Sequence, residues 1–197
     1  MVAILLPASP APVDKDPFLI SFAQDHEPFL GGEQIRILRV GTRFGATFKM
    51  PPMKYETARV WTARLLQGEG FRVSMLWRQQ DFVNAKPNTT IRDPVLANSF
   101  QIALVSGAHP DHGDFNPIME GQFFNVIHEG RRYLHMYTGH ADGFTANIWP
   151  ALRTPLSAGD VVDFVTPRIE GLLSAPHGWN ENKAMTVGFE FQIRESK

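Results

Sequence analysis

The chain contains no cysteine among its 197 residues. This absence excludes disulfide scaffolds, thiolate metal sites and cysteine nucleophiles together, and it is compatible with a reducing compartment. The formal net charge is only −1, because the chain has 19 basic and 20 acidic residues. Neither end forms a basic arm, so the composition argues against binding that is driven by the neutralisation of nucleic-acid phosphates.

Long hydrophobic runs are missing as well. Val2 to Leu6 is apolar, but no basic residue precedes it, and Pro7, Pro10 and Pro12 follow at once. The N-terminus therefore lacks the charged start and the longer apolar stretch of a signal peptide. No apolar run approaches the roughly 20 residues that a membrane helix requires. We expect a soluble chain with neither a leader nor a membrane span.

The first 33 residues combine proline with apolar side chains. Five prolines in this segment argue against a long helix or a central strand. The segment nevertheless carries more apolar residues than a free linker would, namely Phe18, Leu19, Ile20, Phe22, Phe29 and Leu30. We predict that residues 1–33 form an extended, proline-rich arm that packs on its own domain or on a neighbouring subunit.

Residues 34–197 show the patterns of a β-rich domain with one helix. Alternation over Ile35–Val40 and Phe44–Met50 predicts a half-buried antiparallel strand pair. Ala58, Trp61 and Leu65 recur at helical spacing. Their spacing predicts a helix at about residues 54–67, which Gly68 ends.

Further strands are predicted where short alternating runs lie between turn residues, at 71–77, 99–106, 121–128, 131–138, 144–149, 161–166, 168–174 and 184–194. The fold class that follows is mainly β, an antiparallel β-sandwich or barrel with one α-helix and the N-terminal arm. A polar stretch at 78–98 is predicted to be a long loop, near which the domain can subdivide.

Histidines supply the strongest sign of a metal site. His109 and His112 stand close together, and His128, His135 and His140 follow downstream. A metal site needs converging ligands on a rigid frame with a second shell, whereas the 109–114 cluster lies in a Pro/Gly/Asp turn. We interpret these histidines as structural and predict no metal. A metal-dependent β-barrel enzyme that uses His109, His112, His135 or His140 is kept as a third hypothesis.

The sequence gives no clear sign of a nucleophilic, phosphate-binding or carboxylate-based active site. There is no Gly-x-Ser-x-Gly elbow and no phosphate-binding loop, and no pair of carboxylates stands out. We predict no catalytic residue and no cofactor, hence no enzyme. The tryptophans Trp77, Trp149 and Trp179 support an alternative, a carbohydrate-binding β-sandwich module for host attachment.

A series of short motifs carries a more specific signal. In chain order they are Gly-Gln-Phe-Phe-Asn at 121–125, Tyr-Leu-His at 133–135, Ile-Trp-Pro at 148–150, Leu-Arg at 152–153, Gly-Asp at 159–160, Gly-Phe-Glu-Phe at 188–191 and Glu-Ser at 195–196. With the preceding Pro-Pro-Met at 51–53 and the helix that carries Ala58 and Trp61, this series resembles the minor or distal tail proteins of bacteriophages with long non-contractile tails (siphophages). The resemblance spans residues 34–197.

The resemblance implies a structural protein of the virion, located in the tail tip or baseplate and assembled in the cytoplasm of the bacterial host. It implies no catalysis. The implied partners are further copies of the chain in a ring, taken as a hexamer, together with the tail tube protein and the tail hub or tip proteins. We expect neither a membrane nor a specific nucleic acid as a partner. The candidate interface residues are Leu5, Leu6, Phe18, Phe22, Phe29, Arg78, Phe82, Arg92 and Trp179.

Overall fold

The computed structural model describes residues 3–27, 29, 31–37, 39–79, 88–105, 118–181 and 186–196, with the backbone alone at 175–181 and 186. Its elements in chain order are β1 (Ile4–Leu5), β2 (Asp14–Ile20), β3 (Gln24–His26), β4 (Ile35–Ile37), β5 (Arg43–Lys49), β6 (Met53–Lys54), α1 (Tyr55–Gly68), β7 (Val73–Leu76), β8 (Thr89–Thr90), β9 (Gln101–Ala103), β10 (Phe123–His128), β11 (Arg131–His140), β12 (Thr145–Trp149), β13 (Val161–Asp163), β14 (Arg168–Glu181) and β15 (Thr186–Glu195).

The first sheet has seven strands in the order β1-β7-β14-β15-β5-β2, with β6 paired to β15. All of its pairs are antiparallel except β1 with β7. Period-two alternation places Phe48 of β5 and Phe191 of β15 side by side on the inner face, with ring centroids 5.5 Å apart. This aromatic face is the floor of the first hydrophobic core.

Helix α1 covers part of that floor. Its buried residues are Ala58, Trp61, Leu65 and Gly68, which recur at helical spacing. The ring of Trp61 lies 6.1 Å from that of Phe191, centroid to centroid. No helix in the described part of the chain is long and apolar enough to cross a membrane.

The second sheet has six strands in the order β8-β13-β10-β11-β12-β9, and all of its pairs are antiparallel. One of its faces packs against the first sheet, because Phe123, Leu134 and Met136 belong to the first core. Its other face encloses a second core that includes Phe124 and Val126. The two sheets therefore form a sandwich in which the second sheet has apolar side chains on both faces.

The predicted fold class is confirmed: the protein is mainly β with several sheets, and its helix over 55–68 matches the prediction at 54–67. The extended N-terminal arm is not confirmed. Strand β1 pairs with β7, β2 pairs with β5, and Leu6 is only 4% exposed in the first core. Pro17 fits within β2 because β2 is the edge strand of its sheet.

The predicted pairing of Ile35–Val40 with Phe44–Met50 is wrong. Strand β4 pairs with β3, whereas β5 pairs with β2 and β15. Alternation identifies a strand and its buried face, but the partner depends on contacts distant in sequence.

Candidate functional site

The described residues of 21–42, which connect β2 to β5, form a β-ribbon outside the first sheet. Strands β2 and β5 pair as far as Ile20 and Arg43, and the chain between them then forms β3 and β4, which pair only with each other in the described part of the chain. Every described residue from Gln24 to Val40 is exposed. Because a two-stranded hairpin alone is at best marginally stable in water, contact with another surface would stabilise this ribbon.

The ribbon exposes apolar side chains as well as backbone. Phe29 is fully exposed, and four further large apolar residues are 42–59% exposed, namely Phe22, Ile35, Ile37 and Val40. Several exposed apolar side chains on one element are typical of a protein–protein contact surface. The ribbon is therefore the first candidate assembly surface.

The base of the ribbon is fixed on the first sheet by a close contact. The ring of Phe18 in β2 lies over Gly45 in β5, where a Cβ atom would come 2.4 Å from Phe18 Cζ. With any other residue at this position the Phe18 ring would have to shift. The guanidinium of Arg43 lies 5.2 Å from the ring centroid of Phe22, so the ribbon begins at an ordered aromatic contact.

A cleft with a volume of about 900 Å³ lies at the opposite end of β2. Its described lining comes from the N-terminal segment, from the end of β7 and from the second sheet, and includes Pro12, Val13, Lys15, Trp77, Arg78, Phe123, Phe164 and Val165. We call it the cleft throughout. Polar and apolar surface contribute to its lining in similar measure, and Lys15 and Arg78 are the two cationic side chains of its described lining.

Lys15 is the most perturbed ionisable group in the cleft. Its Nζ lies 4.1 Å from the Trp77 ring centroid and donates a hydrogen bond to the Arg78 carbonyl oxygen at 2.7 Å. Burial lowers the pKa of Lys15 to about 8. The ammonium therefore has an aromatic face beneath it and a fixed position.

Two side-chain contacts hold the walls of the cleft in place. Gln79 donates to the Phe123 carbonyl oxygen at 2.8 Å and accepts from the Phe123 N–H at 2.7 Å, which joins the two sheets. Arg78 donates to the Ala8 carbonyl oxygen at 2.8 Å. The cleft is thus a preformed feature of the folded domain.

The structure divides the predicted interface residues of the N-terminal segment. Leu5, Phe22 and Phe29 are exposed, as an interface requires, whereas Leu6 is buried in the first core. Phe18 is half-buried against Gly45. Leu6 and Phe18 therefore stabilise their own domain.

The remaining predicted interface residues lie apart from the ribbon. Arg78 lines the cleft. Arg92 is exposed, and its Nε donates to Asp93 Oδ2 at 2.8 Å while its guanidinium lies 5.2 Å from the Phe144 ring centroid. Phe82 lies outside the described residues, as does the side chain of Trp179, whose backbone pairs with Phe189.

The histidines do not converge in the part of the chain that the structure describes. No group of three or more His, Asp or Glu side chains there could hold a metal ion. His135 is fully buried, with Nδ1 2.9 Å from the Pro150 carbonyl oxygen, and its pKa is lowered to about 3 by burial and by the charge of Arg153. His140 lies beside the Tyr137 hydroxyl, while His109 and His112 fall outside the described residues.

The tryptophans do not form an exposed platform among the described side chains. Trp77 is 1% exposed, and Trp149 is half-buried and stacked on Phe100 with a centroid separation of 5.5 Å. Stacking on a sugar requires an exposed ring face. The side chain of Trp179, the third tryptophan of the carbohydrate-binding alternative, lies outside the described residues.

Sequence reasoning missed several residues of both surfaces. The run Ile35–Val40 is predicted to be a half-buried strand, and the exposure of Ile35 and Val40 follows from the pairing of β4 with β3 alone. No local sequence pattern marks Lys15 or Gln79 as site residues, because the cleft joins segments that are far apart in the chain. The Gly31-Gly32 turn was the sequence signal available for the ribbon, since it is flanked by extended residues on both sides. Comparison of the sequence with protein-family models and with curated proteins finds no match to either.

Proposed function

We propose that this chain is a structural subunit of a siphophage tail tip or baseplate, and that it forms or joins a ring at the distal end of the tail tube. The observation that carries the proposal is the ribbon, whose described residues from Gln24 to Val40 are all exposed although they include Phe29, Ile35, Ile37 and Val40. The proposed partners are further copies of the chain, the tail tube protein and the tail hub.

The positions of the motif residues support a structural role. Phe124, Leu134 and Phe191 are buried in the two cores, and Arg153 pairs with Glu195 in the interior. Residues of these motifs therefore pack the domain and join its sheets. A resemblance carried by core residues supports a shared fold, and it supports no catalytic chemistry.

The architecture is suited to assembly. A ring of identical subunits needs a heterologous interface, in which one surface of a copy meets a different surface of the next. The ribbon offers one such surface, on an element that is anchored at its base by Phe18 and Gly45. Burial of its apolar side chains in a neighbour would supply the driving force.

Negative-stain microscopy of the purified chain tests this proposal, alone and after incubation with isolated siphophage tail tubes. We expect closed rings of one diameter, either free or capping one end of the tubes. A matched variant carries Leu96→Ser, which removes an exposed apolar residue far from the ribbon in sequence, and it should form the same rings. Dispersed single copies in both preparations would contradict the proposal.

A further inference from the structure

We infer that the tip of the ribbon of one copy docks in the cleft of a second copy, with Phe29 as the apolar anchor and with Glu27 and Glu33 near Lys15 and Arg78. The inference rests on the self-association proposed above and identifies the two surfaces that meet. It commits to a second copy of this chain as the occupant of the cleft.

The tip of the ribbon carries one exposed aromatic side chain between two exposed acidic ones. Phe29 is fully exposed, and both Glu27 and Glu33 are exposed on either side of it in the chain. Gly31, with a φ of +76°, provides the turn between them. An aromatic side chain presented on a turn loses little entropy on binding and is the type of residue that dominates interface energetics.

The chemistry of the cleft is complementary. Its volume of about 900 Å³ exceeds that of one phenylalanine side chain, and the exposed Val13 and Val165 with the half-buried Phe123 supply accessible apolar surface. Lys15 and Arg78 supply two positive charges beside this surface. Asp14 is the acidic residue of the described lining, and its carboxylate lies 3.9 Å from Lys49 Nζ. An acidic tip with an aromatic centre matches this lining in charge and in polarity.

The positions of the two surfaces favour a contact between separate copies. The ribbon leaves the first sheet after Ile20, whereas the cleft begins at the other end of β2, at Ala11 to Lys15. Seven residues of strand separate the two ends by about 20 Å, from a rise of roughly 3.3 Å per residue. Phe29 at the tip is fully exposed, so it does not occupy the cleft of its own copy. Repetition of this head-to-tail contact builds a ring when the rotation closes.

Disulfide trapping tests the contact directly, because the native chain has no cysteine. One preparation carries Glu33→Cys at the tip, and a second, with a tag that changes its mass, carries Val165→Cys at an exposed position of the cleft lining. After mixing and mild oxidation, we expect the tip–cleft heterodimer to form at least about tenfold faster than either homodimer. A mixture of the Glu33→Cys chain with a Leu96→Cys chain is the control and should show no such preference.

A second measurement uses the affinity of self-association. Phe29→Ser removes the anchor from a fully exposed position, so the fold is retained, and the dissociation constant should rise by about 10- to 100-fold. Val165→Glu introduces a negative charge at an exposed position of the cleft lining and should weaken association similarly. Leu96→Ser should leave the dissociation constant unchanged.

The outcomes separate this inference from the proposed function. If the chain associates, but Phe29→Ser and Val165→Glu associate as tightly as the native chain and the tip–cleft disulfide is absent, the inference is overturned while the ring proposal stands. If the native chain stays a single copy at every concentration, alone and with tail tubes, both are overturned. Selective trapping together with weakened association of both variants supports the tip–cleft contact.

Discussion

Arg153 donates a hydrogen bond to Glu195 where both side chains are almost completely buried, at 2% and 1% exposure. The same carboxylate accepts the N–H of Leu134 at 2.8 Å and that of Phe44 at 3.4 Å. One carboxylate therefore joins β15 and β5 of the first sheet to β11 of the second. The C-terminal motif Glu-Ser thus completes the interior of the sandwich.

Replacement of Arg153 by Met should destabilise the protein strongly. It leaves Glu195 buried without its cation, and the loss of one partner of a buried pair costs about 3–5 kcal/mol. Urea unfolding measures the change. Arg92→Met is the matched control, since Arg92 pairs with Asp93 at the surface, and it should cost no more than about 1 kcal/mol. Equal losses in the two variants would contradict this assignment.

The stability of the protein should fall with acidification because of His135. Burial and the charge of Arg153 lower its folded-state pKa to about 3 from the usual 6.5, so the unfolded chain binds the extra proton between these values. Stability is then fully present above pH 6.5 and is lost as the pH falls toward 3. At pH 5 this residue alone should cost about 2 kcal/mol relative to pH 7.

His135→Leu should remove that component of the pH dependence, whatever its effect on stability at pH 7. The comparison is between urea midpoints at pH 7 and pH 5 for each protein. His26→Gln, at an exposed position of the ribbon, should keep the native pH dependence. A His135→Leu variant that loses as much stability between the two pH values as the native chain would refute the effect.

Gly45→Ala should destabilise the contact between β2 and β5. The new Cβ would lie 2.4 Å from Phe18 Cζ, so the half-buried ring must move aside. Because glycine in a strand is itself unfavourable by roughly 0.5–1 kcal/mol relative to alanine, we expect a net loss of about 1 kcal/mol. In the double variant Phe18→Ala/Gly45→Ala the clash is absent, and its total loss should be smaller than the sum of the two single losses. Additive losses by thermal or urea unfolding would show that Phe18 does not cover Gly45.

The amine of Lys15 should become nucleophilic at a lower pH than that of an ordinary lysine. At pH 8 about half of its side chains are neutral, because its pKa is lowered to about 8 by burial, and only the neutral amine is nucleophilic. Burial also limits access of the reagent, so the pH profile is the test and not the rate at one pH. Trace acetylation at a series of pH values, followed by peptide mass spectrometry, should give a rate at Lys15 that reaches half of its plateau at about pH 8. A rate that still rises steeply well above this pH would contradict the buried site over Trp77.

The sequence predicts elements better than it predicts their partners. The helix over 55–68 follows from the spacing of Ala58, Trp61 and Leu65, and the strand β15 follows from alternation through Phe189 and Phe191, because burial on one face selects these periods directly. The pairing of β5 with β2 and β15 depends on contacts between distant segments, which periodicity does not record.

In the N-terminal segment, too, the sequence pattern does not reveal the strand partners. Its prolines were interpreted as the mark of an extended arm, whereas Pro17 lies in an edge strand, where a missing N–H costs nothing. The cleft joins Lys15, Trp77 and Phe123 from three separate parts of the chain. No local pattern encodes such a site.

Self-association through the ribbon is the central claim, and the solution mass of two proteins tests it most directly. In the second protein a short Gly-Asn turn replaces residues 24–37, a segment whose described residues are all exposed, so the thermal midpoint should be unchanged. Light scattering behind a sizing column should give a multiple of 22.1 kDa for the native chain and a single copy for the variant. A variant that keeps the native oligomeric mass would contradict the account, and so would a native chain that stays at 22.1 kDa and also forms no rings on isolated tail tubes.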